Sequence, residues 1–352
     1  MAKIPENLRE DALSKYLQEH GLKRIGQGKV RDTYYLDNER LLVVTTDRIS
    51  IFEFVLGVLV PKKGEVLTAL THFWLTKVLH QWKNHLINCE HPNLNYCPNT
   101  ASLLKETLLP DLQIERSLIV RNLSGKMYPF EMIFRHHIGG SVFKQYQKTG
   151  MAGGLELPAN LPKWSKLESP IFTPSTKEDV GHDINVNGDY FYSEMEKLGL
   201  KEEAEMVVWN LDSAYSIAYK YAEERGVLIL DTKFEVSGLI IADEVLTPDS
   251  SRFGLADDCV RAIAENREPK SYDKQAVRDW GAKVITPFFD ESNNCIVGIN
   301  KLDPEIEDHV HFVHSLEIPT DIITGTTERY LNIFKILTGK SLEEYQKAEM
   351  GL

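Results

Sequence analysis

The sequence has 352 residues, of which 42% are hydrophobic and 26% are charged, a balance typical of a globular protein with a large core. Its formal net charge of −12 at pH 7 argues against a nucleic-acid partner, although a local cluster of Arg and Lys can still bind an anion. No apolar run reaches the length of a membrane span, no signal-peptide pattern is visible, and four scattered cysteines fit a reducing compartment, so we expect a cytoplasmic protein without a membrane partner.

A helix and a set of strands open the chain. Amphipathic spacing predicts a helix over residues 7–20, and the pattern then changes to that of strands. Among them is a hairpin that carries Gly26 and Gly28, followed by Lys29 and Arg31. Exposed backbone N–H groups and two cations suit a polyphosphate, although glycines in hairpins more often serve the turn. The hairpin is neither a Walker loop nor a G-x-G-x-x-G motif, so alone it is a weak signal.

An Asp-Arg pair follows the next strand. Asp47, Arg48 and the nearby Ser50 can orient a polar ligand or pair internally, and internal pairing is the commoner outcome. Further on, an apolar run at 117–121 predicts a strand that leads into a connecting segment. We therefore predict two domains, a β-rich nucleotide-covering lobe at 1–121 and an α+β substrate- and metal-binding lobe at 122–352.

The second lobe begins with a candidate anion site. The first strand predicted there ends in Arg135, and two glycines from Gly139 lead to Ser141 and a helical pattern. Backbone N–H groups at a helix start, a hydroxyl and a guanidinium together suit a phosphate. His136 and His137 stand beside the arginine and are poor metal ligands there, so we expect them to pack and to form hydrogen bonds.

Loops and helices make up much of the remaining chain. Residues 155–174 are rich in proline and lack periodicity, which predicts a surface loop. Apolar periodicity predicts a long helix over 202–225 and two C-terminal helices over 318–335 and 342–350. One loop contains two cysteines and a histidine, but their spacing fits no standard zinc pattern. We therefore predict no zinc site at Cys89, His91 and Cys97.

Charges alternate along the strand that follows the long helix, which places Asp231, Lys233 and Glu235 on one face. A solvated sheet face and a ligand site both explain this pattern, because unpaired buried charges are costly. A three-residue loop at 236–238 puts Asp243 on the same face, whereas a two-residue turn puts it on the other. We prefer the first register, because the clustered carboxylates would suit Mg²⁺ bound to a nucleotide.

Several motifs, in the same order along the chain, resemble the phosphoribosylaminoimidazole-succinocarboxamide synthase (SAICAR synthase) family. They are GKVRD at 28–32 with TDRIS at 46–50, PFE at 129–131 through Arg135 to Gly140 and Ser141, and DTKFE at 231–235 with DE at 243–244 and PDSSRF at 248–253. IFTPSTK at 171–177 and YDKQ at 272–275 are similar too. The similarity extends from about residue 22 to about residue 335. Several long motifs in the same order make the resemblance specific.

The resemblance implies an α+β fold with two lobes. A small antiparallel β-rich lobe is similar to a protein kinase N-lobe, a larger α+β lobe is similar to ATP-grasp domains, and ATP binds in the cleft between them. Members of the family use ATP and Mg²⁺ to join L-aspartate to the carboxylate of carboxyaminoimidazole ribotide (CAIR), which yields SAICAR, ADP and phosphate in purine biosynthesis. An acyl phosphate is the expected intermediate, since an amine cannot expel oxide, and the enzyme aligns the reactants and neutralises charge.

The resemblance also implies residue roles. The ATP phosphates would be covered by Gly28, Lys29 and Arg31. The adenine would be received by the backbone near Val120 and Arg121. The ribotide phosphate would be bound by Arg135, Ser141 and Arg252, and the acceptor side lined by Asp47, Arg48 and Ser50. Glu235, beside ATP, and Asp243 would hold Mg²⁺. Lys233 would neutralise charge near the transferred phosphoryl group, and Asp231 would lie beside the imidazole.

Departures from the family pattern leave the acceptor open. Glu53 stands where Asp is usual, Gly139 where Thr or Ala is usual, and Gly254 where Trp is common; Val236 and Ser237 replace Phe-Gly. The changes mean either an altered pocket or a compensated one, so a diverged ligase with another acceptor is one alternative. A kinase-like phosphotransferase is the other, although the chain lacks the His-Arg-Asp and Asp-Phe-Gly motifs of protein kinases. The sequence leaves open whether the protein is a monomer or a homo-oligomer.

Overall fold

The computed structural model of the protein describes residues 3–87, 114–177 and 184–352. Over these residues the fold is α+β, with antiparallel sheets and several helices, as the sequence predicts. Two compact units are present, and each is assembled from separate stretches of chain. The first comprises Met1–Ala69, Leu86–Asn122 and Asp273–Leu352, and the second comprises Leu70–His85 and Leu123–Tyr272.

The predicted division into 1–121 and 122–352 differs from these units, because the chain returns to the first unit after Tyr272. A single boundary placed along a sequence cannot reveal such a return, which depends on packing between distant segments. The candidate zinc loop with Cys89, His91 and Cys97 lies outside the described residues.

The first unit begins with a short helix and antiparallel strands. These elements are α1 (Ala12–Glu19), β1 (Lys23–Gln27), β2 (Arg31–Tyr35), β3 (Arg40–Thr45), β4 (Arg48–Ile51), β5 (Phe54–Leu59), α2 (Lys63–Phe73) and β6 (Ser117–Arg121). Strands β1, β2, β3 and β6 form one sheet in that order, and β4 pairs with β5 separately. Helix α1 starts later than predicted because the Asp11 carboxylate caps it, accepting the Ser14 N–H at 2.8 Å. Leu13 and Leu17 of this helix pack against Tyr34 of the sheet.

The second unit is built on a larger antiparallel sheet. Its elements are β7 (Phe130–His137), α3 (Gly140–Thr149), β8 (Met151–Ala152), β9 (Leu155–Glu156), β10 (Lys166–Phe172), β11 (Ser175–Thr176), α4 (Gly188–Lys197), α5 (Lys201–Glu223), β12 (Val227–Ser237), β13 (Ile240–Ala242), β14 (Ser251–Leu255) and α6 (Ala256–Ala264). The sheet runs β10-β7-β12-β13, with β11 also paired to β7 and β14 to β12. Helix α5 packs on its apolar face, where Tyr215 contacts Phe134 and donates a hydrogen bond to the Ile229 carbonyl at 2.8 Å.

The prediction of a surface loop over 155–174 was wrong for part of this stretch, because it contains β10. Strand β10 pairs antiparallel with β7 and includes Pro170. Proline is tolerated there because the strand lies at the end of the sheet path and its register shifts between Lys166 and Ile171. Sequence periodicity cannot identify a strand that is interrupted in this way.

The chain then returns to the first unit through a hairpin and helices. These elements are α7 (Gln275–Gly281), β15 (Ile285–Phe289), β16 (Cys295–Val297), α8 (Glu307–Ser315), α9 (Thr320–Thr338) and α10 (Leu342–Tyr345). The two predicted C-terminal helices correspond to α9 and to α10 with the π-helical turn that continues it. Leu352 packs against the core formed by Leu17 and Tyr34. Within the described parts of the chain, no helix has both the length and the apolar character that crossing a membrane requires.

Candidate active site

Three neighbouring strands of the second unit place charged residues in one row. Asp231 of β12 pairs directly with Arg135 of β7 on one side and with Arg252 of β14 on the other. Arg135 Nη1 lies 3.0 Å from Asp231 Oδ2, and Arg252 Nε lies 3.5 Å from Asp231 Oδ1. Two cations therefore flank one carboxylate as a direct consequence of strand register.

Two of the three residues in this row are buried, which excludes a merely solvated sheet face at this position, while Arg252 is partly exposed. Arg135 is 4% exposed and Asp231 is 8% exposed. Arg135 Nε also donates to the Thr173 hydroxyl at 2.8 Å, so the guanidinium is held from two directions. Charges buried to this degree are stable only when they are paired and hydrogen-bonded, and these are.

A second cluster of charged residues lies further along the same face of the sheet. Lys233 forms an ion pair with Glu131 and lies 3.7 Å from Glu235, while Lys177 pairs with Glu235. Burial acts to lower the pKa of Lys233, but the charges of Glu131 and Glu235 outweigh it and raise that pKa well above its usual range. Lys233 is therefore a permanent cation, suited to neutralise charge and unsuited to act as a base.

The preferred register of the hairpin after β12 was wrong. Glu235 pairs with Ala242, and Ser237 pairs with Ile240, so the loop contains only Gly238 and one further residue. Gly238 has a φ of +52°, which the first position of such a turn favours. Both loops considered from the sequence placed the turn too early along the chain.

Asp243 nevertheless joins the charged cluster. Burial and then the charge of Asp243 raise the pKa of Glu235, against the opposing effect of Lys233 and Lys177, so the two carboxylates interact. Asp243 follows the last residue of β13 and has a φ of +58°, so the backbone leaves strand geometry there. Strict alternation along β13 therefore does not fix the direction of its side chain.

The start of α3 provides an anion-binding corner. No side chain caps this helix, which follows the extended residue Gly139. A Cβ atom on Gly140 would lie 2.7 Å from Arg252 Nη1, so the guanidinium lies against the first turn. Ser141 is exposed beside it, within 3.5 Å of the Asn185 amide nitrogen. Backbone donors, a hydroxyl and a guanidinium thus lie together at this corner. The guanidinium is that of Arg252, whereas Arg135, the arginine that the sequence pattern placed here, lies buried against Asp231.

Two departures from the family pattern are compensated by neighbouring side chains. A Cβ atom on Gly254 would lie 2.5 Å from Cys259 Sγ, so no aromatic-sized gap is present at this position. A Cβ atom on Gly139 would lie 2.1–2.4 Å from three atoms of the Trp164 ring. In both places another residue fills the space that a larger side chain would need.

In the first unit, Arg48 forms hydrogen bonds to the glycine-bearing turn between β1 and β2. This arginine pairs with Asp32, and both side chains are buried. Its guanidinium also donates to the carbonyl groups of Gly28 and Lys29, each at 3.1 Å, and to that of Leu8 at 3.3 Å. Arg48 therefore fixes the shape of the turn, which is the internal pairing considered for it from the sequence.

The other site residues predicted in the first unit lie in or next to this turn and the neighbouring strands. Lys29 forms an ion pair with Glu53, the residue that departs from the family pattern. Asp47 accepts a hydrogen bond from the Gly64 N–H at 2.7 Å, in the first turn of α2. Ser50 is buried in β4. Arg31 lies in β2, directly opposite Thr45 of β3, and the Gly28 N–H bonds its carbonyl at 2.7 Å.

Val120 and Arg121, predicted to receive the adenine, end the strand β6. Val120 pairs with Leu41 of β3 and forms a bridge to Leu86. Arg121 pairs with Arg40 and is partly exposed. The backbone of β6 is thus fixed by neighbours on the strand β3.

Comparison with known proteins identifies the family. The family model described as SAICAR synthetase matches residues 24–294. The chain belongs to this family. A SAICAR synthase of Actinobacillus succinogenes is 38% identical over 328 residues, which cover 92% of this chain and 100% of that protein. The solved structure of the Saccharomyces cerevisiae SAICAR synthase in complex with SAICAR is 32% identical, covers 91% of this chain and 96% of its own, and has a TM-score of 0.66. A SAICAR synthetase solved in complex with ADP is 20% identical with a TM-score of 0.54, covering 90% and 98%, and shares the fold.

Sequence reasoning about the SAICAR synthase motifs missed three residues of the charged face. Glu131 pairs with Lys233, Thr173 bonds Arg135, and Lys177 pairs with Glu235. All three lie in motifs that carry the resemblance. Glu131 was the detectable one, because it alternates with Arg135 along β7 as the charges of β12 alternate.

Proposed function

We propose that the chain catalyses the ATP-dependent condensation of L-aspartate with CAIR, which gives SAICAR, ADP and phosphate. The observation that supports this most is the row Arg135–Asp231–Arg252 with Lys233 on the same face, in a chain that matches the family over most of its length. Fixed positive charges beside buried carboxylates suit phosphorylated ligands. Purine biosynthesis is the pathway that this reaction serves.

The reaction requires activation of the CAIR carboxylate. Attack of that carboxylate on the γ-phosphorus of ATP forms an acyl phosphate and releases ADP; the amine of aspartate then attacks the acyl carbon and phosphate leaves. We assign Lys233 to neutralise the transferred phosphoryl group, because its raised pKa keeps it protonated. Glu131 and Glu235 hold the ammonium group in place before phosphate arrives.

The ribotide phosphate binds at the anion corner. Arg252 and Ser141 contribute side-chain donors there, and the uncapped start of α3 contributes backbone N–H groups. Asp231 lies beside the imidazole and orients both arginines. Arg135 adds its charge from the buried side, where Thr173 and Asp231 fix its guanidinium.

The nucleotide is bound by Gly28, Lys29 and Arg31 at its phosphates and by the backbone of Val120 and Arg121 at its adenine. The backbone at Gly28 and Lys29 is suited to this because Arg48 fixes it by hydrogen bonds to two carbonyl groups. The acceptor side is supported by the buried residues Arg48 and Ser50, and by Asp47, which accepts a hydrogen bond from Gly64.

Glu235 and Asp243 are the residues that would hold Mg²⁺. Among the described residues, no group of three or more His, Cys, Asp or Glu side chains is arranged around a metal site. Two interacting carboxylates fit a magnesium ion that arrives with ATP, because Mg²⁺ takes one or two carboxylates together with substrate phosphates. When bound, the ion supplies positive charge to the phosphates.

Three finer proposals follow from the same reasoning. The first unit contains a small antiparallel sheet, and we propose that this part is related to kinase N-lobes. We propose that the larger sheet of the second unit is related to ATP-grasp domains. The acidic, cysteine-poor composition supports a cytoplasmic location.

Phosphate release tests the proposed function. Release should require ATP, Mg²⁺, L-aspartate and CAIR together, and the product should absorb and elute as SAICAR. Omission of each substrate in turn is the control. Release that continues without aspartate would indicate a phosphotransferase, and activity restricted to another carboxylate or amine in a substrate panel would indicate a diverged ligase.

A further inference from the structure

Trp164 is a buried residue with a left-handed backbone, which is unusual for an aromatic side chain. Its φ is +68° and its side chain is largely buried. Bulky residues adopt this conformation only when the surrounding structure requires it, and such positions cluster at functional sites. Trp164 belongs to no motif of the family resemblance, and the proposed chemistry assigns it no role.

Three hydrogen bonds fix Trp164 next to the end of β7. Its N–H donates to the Ile138 carbonyl at 2.7 Å, and its indole Nε1 donates to Glu268 at 2.6 Å. His137 Nδ1 lies 2.8 Å from the Trp164 carbonyl oxygen; because a carbonyl only accepts, this nitrogen carries the proton. Both the backbone and the ring of Trp164 are therefore held in one position.

The ring held in this way lies next to both Gly139 and Arg252. It fills the space that a side chain on Gly139 would occupy. The Arg252 guanidinium carbon lies 5.6 Å from the ring centroid, within the range of a cation–π contact. The same guanidinium lies against Gly140 at the start of α3.

We propose that Trp164 is a positioning residue that holds the Arg252 guanidinium at the anion corner for the ribotide phosphate. An aromatic face attracts the cation but uses none of its N–H donors, so the edge of the guanidinium stays available to phosphate oxygens. Asp231 contacts the guanidinium at Nε, at 3.5 Å. Without the ring, this contact would leave the Nη end of Arg252 free to move away from α3. This inference rests on the proposed function.

Steady-state kinetics of Trp164→Ala test the inference. We expect the KM for CAIR to rise about tenfold, with the KM for ATP and for aspartate changed by less than about twofold. Trp164→Phe keeps a ring face and should recover most of the affinity. The ribonucleoside of CAIR lacks the phosphate, so its inhibition constant should be the same in wild type and Trp164→Ala.

Gly139→Ala provides a second and independent variant. The methyl group of Ala at this position would clash with the Trp164 ring, and in Trp164→Ala that ring is absent. Gly139→Ala should therefore raise the KM for CAIR strongly by itself and only a little in the double variant. If Trp164→Ala does not fold, the effect of Gly139→Ala on the KM for CAIR decides the matter. Trp209→Ala is the matched control, because Trp209 is 73% exposed in the same unit.

Two results would overturn the inference. One is a folded Trp164→Ala enzyme with an unchanged KM for CAIR, and the other is equal loss in all three KM values, which indicates a structural role only. Neither affects the proposed function while the wild-type protein makes SAICAR. Failure of the wild-type protein to release phosphate in an aspartate- and CAIR-dependent way would instead refute the proposed function.

Discussion

Replacement of Arg48 by Met tests the role of the buried pair beneath the glycine-bearing turn. The change keeps an unbranched side chain but removes the short ionic contact of the Asp32 carboxylate, which is 2% exposed, and leaves it the longer contact with Arg24 Nη1 at 3.6 Å. Loss of one partner from a buried pair costs about 3–5 kcal/mol, and because Arg24 remains we expect a cost at the low end of that range. Two carbonyl groups of the turn, at Gly28 and Lys29, lose a donor as well. Since total stability is about 5–15 kcal/mol, the first unit should be markedly destabilised.

Hydrogen exchange resolved by peptide is the appropriate assay, because it reports the local stability of each unit separately. Peptides from β1, β2 and β3 should lose protection in Arg48→Met, while peptides from β12 should not. The double variant Arg48→Met with Asp32→Asn should recover about 1–3 kcal/mol, because the buried carboxylate that lost its main partner is replaced by a neutral amide. Unchanged protection of β1 and β2 in Arg48→Met would refute the view that this arginine fixes the turn.

Four further outcomes are expected. Lys233→Met should abolish phosphate release while circular dichroism stays native, and retained turnover would remove Lys233 from the phosphoryl-transfer step. Asp243→Asn should raise the Mg²⁺ concentration that gives half-maximal rate, and unchanged Mg²⁺ dependence would exclude Asp243 as a ligand. Glu53→Gln releases Lys29 from a partly exposed ion pair, so the KM for ATP should fall about two- to fivefold at low salt; a rise would show that the pair assists binding. Burial lowers the pKa of His136 to about 4. Since the unfolded residue titrates near pH ~6.5, stability should decline as pH falls from there towards 4, and urea unfolding of His136→Gln should show a shallower decline.

The charged face was predictable because strand alternation is a local property. Asp231, Lys233 and Glu235 share a face in the structure for the reason given from sequence, and β7 repeats the alternation with Glu131 and Arg135. What alternation cannot supply is the pairing between strands. The contact of Arg135 and Arg252 with Asp231 depends on β7 and β14 lying on opposite sides of β12.

The hairpin after β12 shows where local reasoning fails. Loops of similar length differ little in local energy, and a glycine such as Gly238, whose φ is +52°, tolerates positive φ at any turn position. The register was decided by pairs such as Val236 with Ile241, which is buried. The role of Trp164 could not be predicted for a related reason, because it depends on the space beside Gly139, which is distant in sequence and which the Trp164 ring fills.

The position of Leu352 affects how the protein can be made. Its side chain packs on the core that α1 forms with the first sheet, so that core lacks a component until the ribosome has translated residue 352. Synthesis proceeds at about 5–20 residues per second, so the β1–β6 sheet waits for tens of seconds after Asn122 emerges. Over that interval the segment 123–272 of the second unit is finished and can begin to fold. The first unit is therefore completed later in synthesis than the second.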